Sequence, residues 1–356
     1  MKFPKKEQWL YLAHFMVSRY FFRFRGMEIQ SQDKLRFVCV KWDEIGDMVT
    51  CIHAFRMLKS EFPNAHITVV CKPFVKSLLI AESSIDEIFT DLSDLSRVKS
   101  DIWIEFRGTF YSLFKGLVSG SKLVLTRGFV RFVQRGKQPH ERVTNARIIA
   151  PILSDGLQQI LGFNKDADVA LKSIQKFVGL DTSDEAKKMA EVRWDNSFKF
   201  ALIHPGGRSL LRRWKPENYK QIQKYVFEEY GLHSVVLGSK DEESLVNELT
   251  KESYTHAWIS EDSLLVLFEV IQRAEIFIGN ESGPLQIADL TNSPAVGLFG
   301  PGVPNVFYPS NPRSKVLHYV LDCNPCDQIT CVRPNDRCID RILVAEVKRS
   351  IDVIMK

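Results

Sequence analysis

The sequence predicts an α/β protein made of two Rossmann-like domains facing one cleft, and three observations predict it. Short apolar runs alternate with helix-period segments from Leu35 to Thr126, and the alternation restarts at Phe200. Strands that alternate with helices need crossover connections, so they pair in parallel and close right-handedly into a doubly wound sheet. Residues 165–197, charged and weakly patterned, separate the two series and mark the domain boundary. Finally, strand ends in the second series run into loops rich in Gly, Ser and Pro, most clearly in Ile276–Gly302 (IFIGNESGPLQIADLTNSPAVGLFGPG). The expected division is a basic amphipathic segment over 1–34, one domain over 35–175 and another over 176–356.

The bulk numbers agree. A chain of 356 residues suffices for two ordinary domains. Its 45% hydrophobic and 26% charged residues exclude disordered and fibrous classes. Seven cysteines, unevenly placed, do not make a disulfide scaffold, so a reducing cytoplasm is expected. No stretch approaches the roughly 20 apolar residues that span a bilayer. The apolar run Trp9–Val17 is short, contains His14 and lacks a small-residue cleavage site, which argues against a secretory signal.

Residues 5–25 place Trp9, Leu12, Ala13, Met16, Val17, Tyr20, Phe21 and Phe24 at helical spacing, with Lys6, Arg19, Arg23 and Arg25 interleaved or flanking. This fits a helix lying in a membrane surface, and equally one packed on the protein's own surface. Charge tips the balance toward a peripheral location on the inner face of the cytoplasmic membrane. Residues 1–36 hold eight basic side chains against three acidic ones, the whole formal excess of +5. Near anionic lipid each basic residue contributes about 1 kcal/mol.

In chain order, strand LRFVCVK leads through Trp42-Asp43-Glu44-Ile45-Gly46-Asp47 into a helix, MVTCIHAFRMLKSEF. Strand 66–71, helical KPFVKSLLIAES, strand 85–90, strand 102–106, helical TFYSLFKGLV and strand 122–126 follow. Residues 107–147 carry nine bases, among them Arg107, Arg127 and Arg131, against the single acid Glu141. So one-sided a segment suits an anionic partner, although any one of its bases reads first as a solvated surface residue. It has no nucleic-acid fold signature, so no nucleic acid is expected. The second series opens at FALIHPGG. A helix starts at Pro216, a favoured first-turn position, and stops before Gly231. Strand HSVVLG and helices EESLVNELTK and SLLVLFEVIQRA lead to the Ile276–Gly302 stretch.

Several residues at strand ends fit anion and proton chemistry. Asp47, at a strand-to-helix turn, can accept a proton from a hydroxyl or merely cap the helix; Asp43 and Glu44 are rivals. In His204-Pro205-Gly206-Gly207-Arg208-Ser209, Gly206 and Gly207 let the backbone approach a phosphate and Ser209 donates to it. Arg212 and Arg213 supply fixed cations for a departing diphosphate. In Gly238-Ser239-Lys240-Asp241-Glu242-Glu243, which closes the next strand, an acid either holds ribose hydroxyls or favours the start of the following helix. Asn280, Glu281, Ser282 and Gly283 lie where a strand's carboxyl end meets a helix's amino end. Asp166-Ala167-Asp168 has the form of a diphosphate-metal pair but lacks a preceding strand. Cys323, Cys326, Cys331 and Cys338 (CxxC-x4-C-x6-C) suggest structural zinc, free thiols or a local clip, in spacing too compressed for a common zinc module.

The motifs IGDMV, FPNAHITVV, IEFRGT, HPGG…RRWKPENY, GNESGPLQIA, VGLFGP and CNPC…C…C with IDRI, in this order, resemble the ADP-heptose:lipopolysaccharide heptosyltransferases, glycosyltransferase family nine. The resemblance covers about Leu35 to Ile342. It implies a GT-B fold with an acceptor domain before a donor domain, inversion at the anomeric centre, no cofactor and no catalytic metal. The expected partners are an ADP-heptose-type donor and an anionic lipid-linked saccharide acceptor. It makes Asp47 the base, and Gly206, Gly207, Ser209, Arg212, Glu242, Glu281, Ser282 and Gly283 the donor-binding set. The basic segment, with Arg107, Arg127 and Arg131, would then meet the acceptor. Two positions depart from the family pattern, both beside the sugar pocket: Glu281 replaces the usual Asp and Gln286 the usual His. The alternatives are a GT-B epimerase or hydrolase, or a non-catalytic membrane-associated scaffold.

Overall fold

The computed structural model describes residues 29–31, 33–91, 93–94, 98–134, 138–194, 197–291, 293–324, 326 and 328–356. The amphipathic segment expected over 5–25 lies outside the described residues, as do Arg135 and Lys137 of the basic segment. The chain forms two compact units, divided between Asp181 and Thr182.

Among the described residues the first unit has five strands: β1 (Arg36–Val40), β2 (His66–Val70), β3 (Glu87–Phe89), β4 (Ile102–Glu105) and β5 (Leu123–Thr126). They form one parallel sheet in the order β3-β2-β1-β4-β5. The chain order reverses between β1 and β4, so their carboxyl ends lie side by side, the place where such sheets collect ligands. The four apolar residues closing β1, Phe37 to Val40, are at most 1% exposed, as expected of a strand covered on both faces.

The helix expected over Met48–Phe62 begins earlier and is interrupted. It forms as Ile45–Val49 and Ile52–Glu61. Thr50 causes the break by turning its hydroxyl back onto the Asp47 carbonyl at 2.9 Å, in competition with the helical ladder. Asp47 therefore sits inside a first helical turn.

The segment read as weakly patterned contains two helices, Ala167–Ile174 and Asp184–Arg193. Asp166 caps the first, accepting from the Asp168 and Val169 amides at 2.7 and 3.3 Å, which accounts for the Asp-x-Asp spacing without a metal.

Among the described residues the second unit has six strands: β6 (Phe200–His204), β7 (His233–Gly238), β8 (Thr255–Ile259), β9 (Ile276–Asn280), β10 (Ala295–Phe299) and β11 (Lys315–His318). All pair in parallel, in the order β11-β10-β9-β6-β7-β8. Here the switch point falls between β6 and β9, with His204 level with Gly279. The helix Pro216–Tyr230 buries Tyr219, Ile222 and Val226 against this sheet, beside Trp214. A terminal helix, Val344–Met355, packs Val347, Ile351 and Ile354 into the same core. Among the described residues, no helix is long and apolar enough to cross a membrane.

Candidate functional site

Each sheet's switch point gathers residues singled out in the sequence. In the second unit, β6 runs out into Pro205-Gly206-Gly207-Arg208-Ser209, followed by a short 3-10 turn, Leu210–Arg212. The loop is held from below by Glu242, whose Oε1 accepts from the Gly207 amide at 2.9 Å and from Arg213 Nη2 at 3.3 Å. Glu242 Oε2 takes the Ser239 amide at 3.1 Å and its hydroxyl at 3.3 Å, with His204 Nε2 3.7 Å away. A β-carbon at Gly206 would overlap the Glu242 carboxylate, so only glycine lets the acid this close. Burial pushes the Glu242 carboxyl up, but His204 and the Ser239 and Gly207 amides override it and hold the group well below its ordinary value. Both Glu242 oxygens are thus committed to shaping the loop, and a ribose hydroxyl would have to share them.

The two arginines before Trp214 differ in use. Arg213 donates twice to the Gly207 carbonyl, at 3.0 and 2.8 Å, and so closes the loop on itself. Arg212 points elsewhere: its Nε donates to Gln328 Oε1 at 2.5 Å and its Nη1 lies 3.6 Å from Glu281 Oε1. Glu281 is 7% exposed, and its Oε2 has no hydrogen-bond partner among the described residues. Burial raises its carboxyl above the ordinary value, against the pull of Arg212. Ser282 Oγ lies 3.1 Å from His204 Nδ1, which links the loops after β6 and β9, and Gly283 begins the helix Gly283–Ala288. Gln286 is buried, its Nε2 donating to the Phe307 carbonyl at 2.6 Å.

Asn280, at the end of β9, which the sequence placed in this turn but gave no role, binds the site together. Its Nδ2 donates to the carbonyls of Pro205 and Gly206 at 2.7 and 2.9 Å. Its Oδ1 accepts from the Trp214 amide at 3.2 Å and the Tyr219 hydroxyl at 2.9 Å. The only signal in the sequence was its place: a polar residue ending a wholly apolar strand.

In the first unit the rivals to Asp47 are already engaged. Asp43 pairs with Lys41 Nζ at 3.1 Å and Arg107 Nε at 3.4 Å. Glu44 pairs with Lys72 at 2.6 Å. Asp47 makes no ion pair or side-chain hydrogen bond with any described residue. Its burial raises the carboxyl above its ordinary value; Lys41 and Arg127 oppose the rise, while Asp43 and Glu141 add to it.

Among the described bases of the segment, Arg131, Arg142 and Arg147 are buried and Arg127 largely so, while Lys122 is exposed. Arg127 and Arg131 both pair with Glu141, itself fully buried, Arg131 at 3.1 Å. Burial alone would raise the Glu141 carboxyl, but the two guanidinium groups hold it below its usual range. Arg147 ties down the carbonyls of Leu161, Gly162 and Lys165. For Arg127, Arg131, Arg142 and Arg147 the reading as solvated surface residues therefore does not hold, whereas Lys122 keeps to it. Glu141, the one acid in the segment, balances Arg127 and Arg131, while Arg107 and Lys122 pair with Asp43 and Asp101. Of Arg107, Arg127 and Arg131, only Arg107 keeps a third of its side chain exposed, at 35%.

The four carboxy-terminal cysteines line one cavity of about 250 Å³ with Leu211 and Arg337. All four are free thiols. Among the described residues, no group of three or more His, Cys, Asp or Glu side chains stands where it would hold a metal ion.

Two parallel, doubly wound α/β units whose switch-point loops carry an acid in one and a Gly-Ser-Arg cradle in the other define the GT-B class. The sequence profile of glycosyltransferase family 9 (heptosyltransferase) matches residues 146–335, more than half of the chain. The chain belongs to this family and is a glycosyltransferase. Lipooligosaccharide heptosyltransferase 2 of Campylobacter jejuni serotype O:2 is 22% identical over 315 residues, covering 83% of this chain and 90% of that protein. Its serotype O:6 counterpart is 25% identical over 166 residues, covering 43% of this chain and 52% of that protein, about half its length. Among solved structures, a family 9 glycosyl transferase from Veillonella parvula matches with a TM-score of 0.73 at 17% identity, covering 92% of this chain and 98% of that one. E. coli heptosyltransferase WaaC with ADP-2-deoxy-2-fluoro heptose matches at 0.62 and 14%, covering 89% and 99%. Likeness at such identities shows the fold.

The Glu242 anchor predicts a measurable loss. Glu242→Gln replaces acceptor oxygens with an amide beside buried N–H donors, and is expected to lower unfolding stability at pH 7 by about 1–3 kcal/mol. A carboxyl depressed in the folded state stabilises fully above its ordinary 4.5 and loses that contribution as pH falls toward its folded value. Wild-type and Glu242→Gln denaturant curves should therefore separate at pH 7 and converge below 4.5.

Proposed function

We propose that the chain transfers a heptose from an ADP-heptose donor to an anionic lipid-linked saccharide, of the lipopolysaccharide or lipooligosaccharide core type, with inversion. The observation that carries this reading is the grouping of Gly206, Gly207, Ser209, Arg212, Glu281, Ser282 and Gly283 at the ends of paired strands β6 and β9, in a chain of this family. The names of its relatives and the ADP-sugar in a fold neighbour support the choice of donor; family membership disfavours the epimerase and scaffold alternatives.

In this reading Asp47 accepts the proton of the acceptor hydroxyl as its oxygen bonds to the anomeric carbon. The bond from that carbon to the diphosphate oxygen breaks on the opposite face, and ADP leaves with the electron pair. Arg212, Ser209 and the loop amides meet the charge that grows on the diphosphate. Arg107 is the surface cation best placed to meet acceptor phosphate or carboxylate; Arg127 and Arg131 would act through Glu141 rather than by direct contact. Glu281 and Gln286 bear on which sugar is accepted.

A base of this kind contributes about 10²–10⁴-fold. Asp47→Asn should lower kcat by that factor while leaving ADP affinity unchanged within about twofold; unaltered turnover, or its loss in Asp43→Asn alone, would move the role elsewhere. Because Asp47 must be ionised to act and its carboxyl is raised, the acid limb of kcat/KM should lie above the ordinary aspartate value of 3.8. The transfer is proposed to need no metal, so the same assay should keep its full rate after dialysis against EDTA.

Residues 5–25 are proposed to bring the enzyme to the inner face of the cytoplasmic membrane, where such an acceptor is made. Deleting residues 1–28 should abolish sedimentation with phosphatidylglycerol vesicles and leave ADP binding intact; unchanged sedimentation would refute the proposal.

A further inference from the structure

Between Cys326 and Cys331 one residue reaches back to the donor loop with both its backbone and its side chain. Gln328 is the only non-glycine residue with positive φ, 62°, among those described. Its side-chain Oε1 accepts from Arg212 Nε at 2.5 Å, and its backbone carbonyl accepts from Ser209 Oγ at 3.2 Å. Two further bonds fasten the same segment: Arg337 Nη1 donates to the Leu210 carbonyl at 3.1 Å, and Asn324 Nδ2 to the Gly300 carbonyl at 3.3 Å. Asn324, Gln328 and Arg337 are thereby fastened to the loops that follow β6 and β10.

We infer that Gln328 is a positioning residue for the donor diphosphate, setting Arg212 through its side chain and Ser209 through its backbone. The inference rests on the reading of Arg212 and Ser209 as diphosphate contacts. An arginine side chain has many rotamers, and a cation stabilises developing charge best when its orientation is fixed beforehand. A carboxylate would fix it at the cost of its charge. Glu281, 3.6 Å away, already tempers that charge. A neutral amide oxygen orients the guanidinium and leaves it cationic. With Nε committed to Gln328, the terminal nitrogens are what remain for a phosphate.

The backbone supports the same conclusion. Left-handed conformations of residues bearing a β-carbon persist where surrounding contacts over-determine them, and they cluster at functional sites. Glycine or asparagine would adopt this φ at lower cost. Glycine carries no amide oxygen at all, and asparagine is one methylene short of the reach that Gln328 uses.

The test is calorimetric titration of the full-length chain with ADP, with donor and acceptor kinetics alongside. Gln328→Gly suits the backbone and removes only the side chain; Gln328→Met keeps the length and removes the acceptor. Both should weaken ADP binding about tenfold and raise donor KM equally, leaving acceptor KM unchanged. In an Arg212→Ala background, where ADP binding is already reduced, neither should weaken it further, since groups acting through one another are non-additive. Two results would overturn the inference: wild-type ADP affinity in both Gln328 variants while Arg212→Ala loses it, or tenfold losses that persist in full on top of Arg212→Ala. Wild-type ADP affinity in Arg212→Ala would instead overturn the reading of the donor loop on which the inference stands.

Discussion

The buried amide of Asn280 is the interaction on which the loop after β6, the proposed donor site, depends. It is wholly inaccessible to solvent, yet its two N–H groups and both lone pairs are used. It joins four pieces of chain: the end of β9, the Pro205-Gly206 turn, the Trp214 amide and the Tyr219 ring. A residue that satisfies every partner in a low-dielectric interior fixes geometry, because loss of any one bond leaves a buried group costing about 1–3 kcal/mol. Trp214 extends the clasp through its indole N–H, which donates to the Ile342 carbonyl at 3.0 Å. Around this clasp, Glu242 shapes the loop from one side and Gln328 from the other, so Arg212 and Ser209 stand on a frame that is already set.

The first unit solves a different problem with related means. A catalytic carboxylate works as a base only if it is neither neutralised nor excessively acidic. Asp47, the proposed base, would meet that condition because its neighbours take each other's charge: Asp43 pairs with Lys41 and Arg107, and Glu141 with Arg127 and Arg131. What remains for Asp47 is burial, tempered by cations nearby but not in contact, and burial raises its carboxyl. Glu105, at the end of β4, shows the structural use of an acid in the same unit: it accepts from the Arg107 amide at 2.8 Å and from the Gly108 amide, holding the loop that carries Arg107.

The architecture was legible because strand period, helix period and turn residues agree along most of the chain, and two parallel sheets are the consequence. Gly206, Gly207 and the Asn280–Gly283 turn were legible for the same reason, since their composition makes sense only at strand ends. Three things were not. The arginines around Glu141 looked like a surface because sequence shows charge along the chain and not across it. Thr50 broke a helix whose apolar pattern runs straight through it. Gln328 sits in a polar, cysteine-rich stretch without periodicity, and only the fold shows that its carbonyls land on Ser209 and Arg212. The terminal helix carries its own signal in Val347, Ile351 and Ile354 at helical spacing.

Hydrogen–deuterium exchange of the intact chain with and without ADP tests the central claim most directly. If the clasped loop is the donor site, ADP should slow exchange in residues 204–214, 281–284 and 321–338, with the β1 and β4 ends of the first unit little changed. Protection confined to the ends of β1 and β4, with 204–214 exchanging as in the free protein, would contradict it.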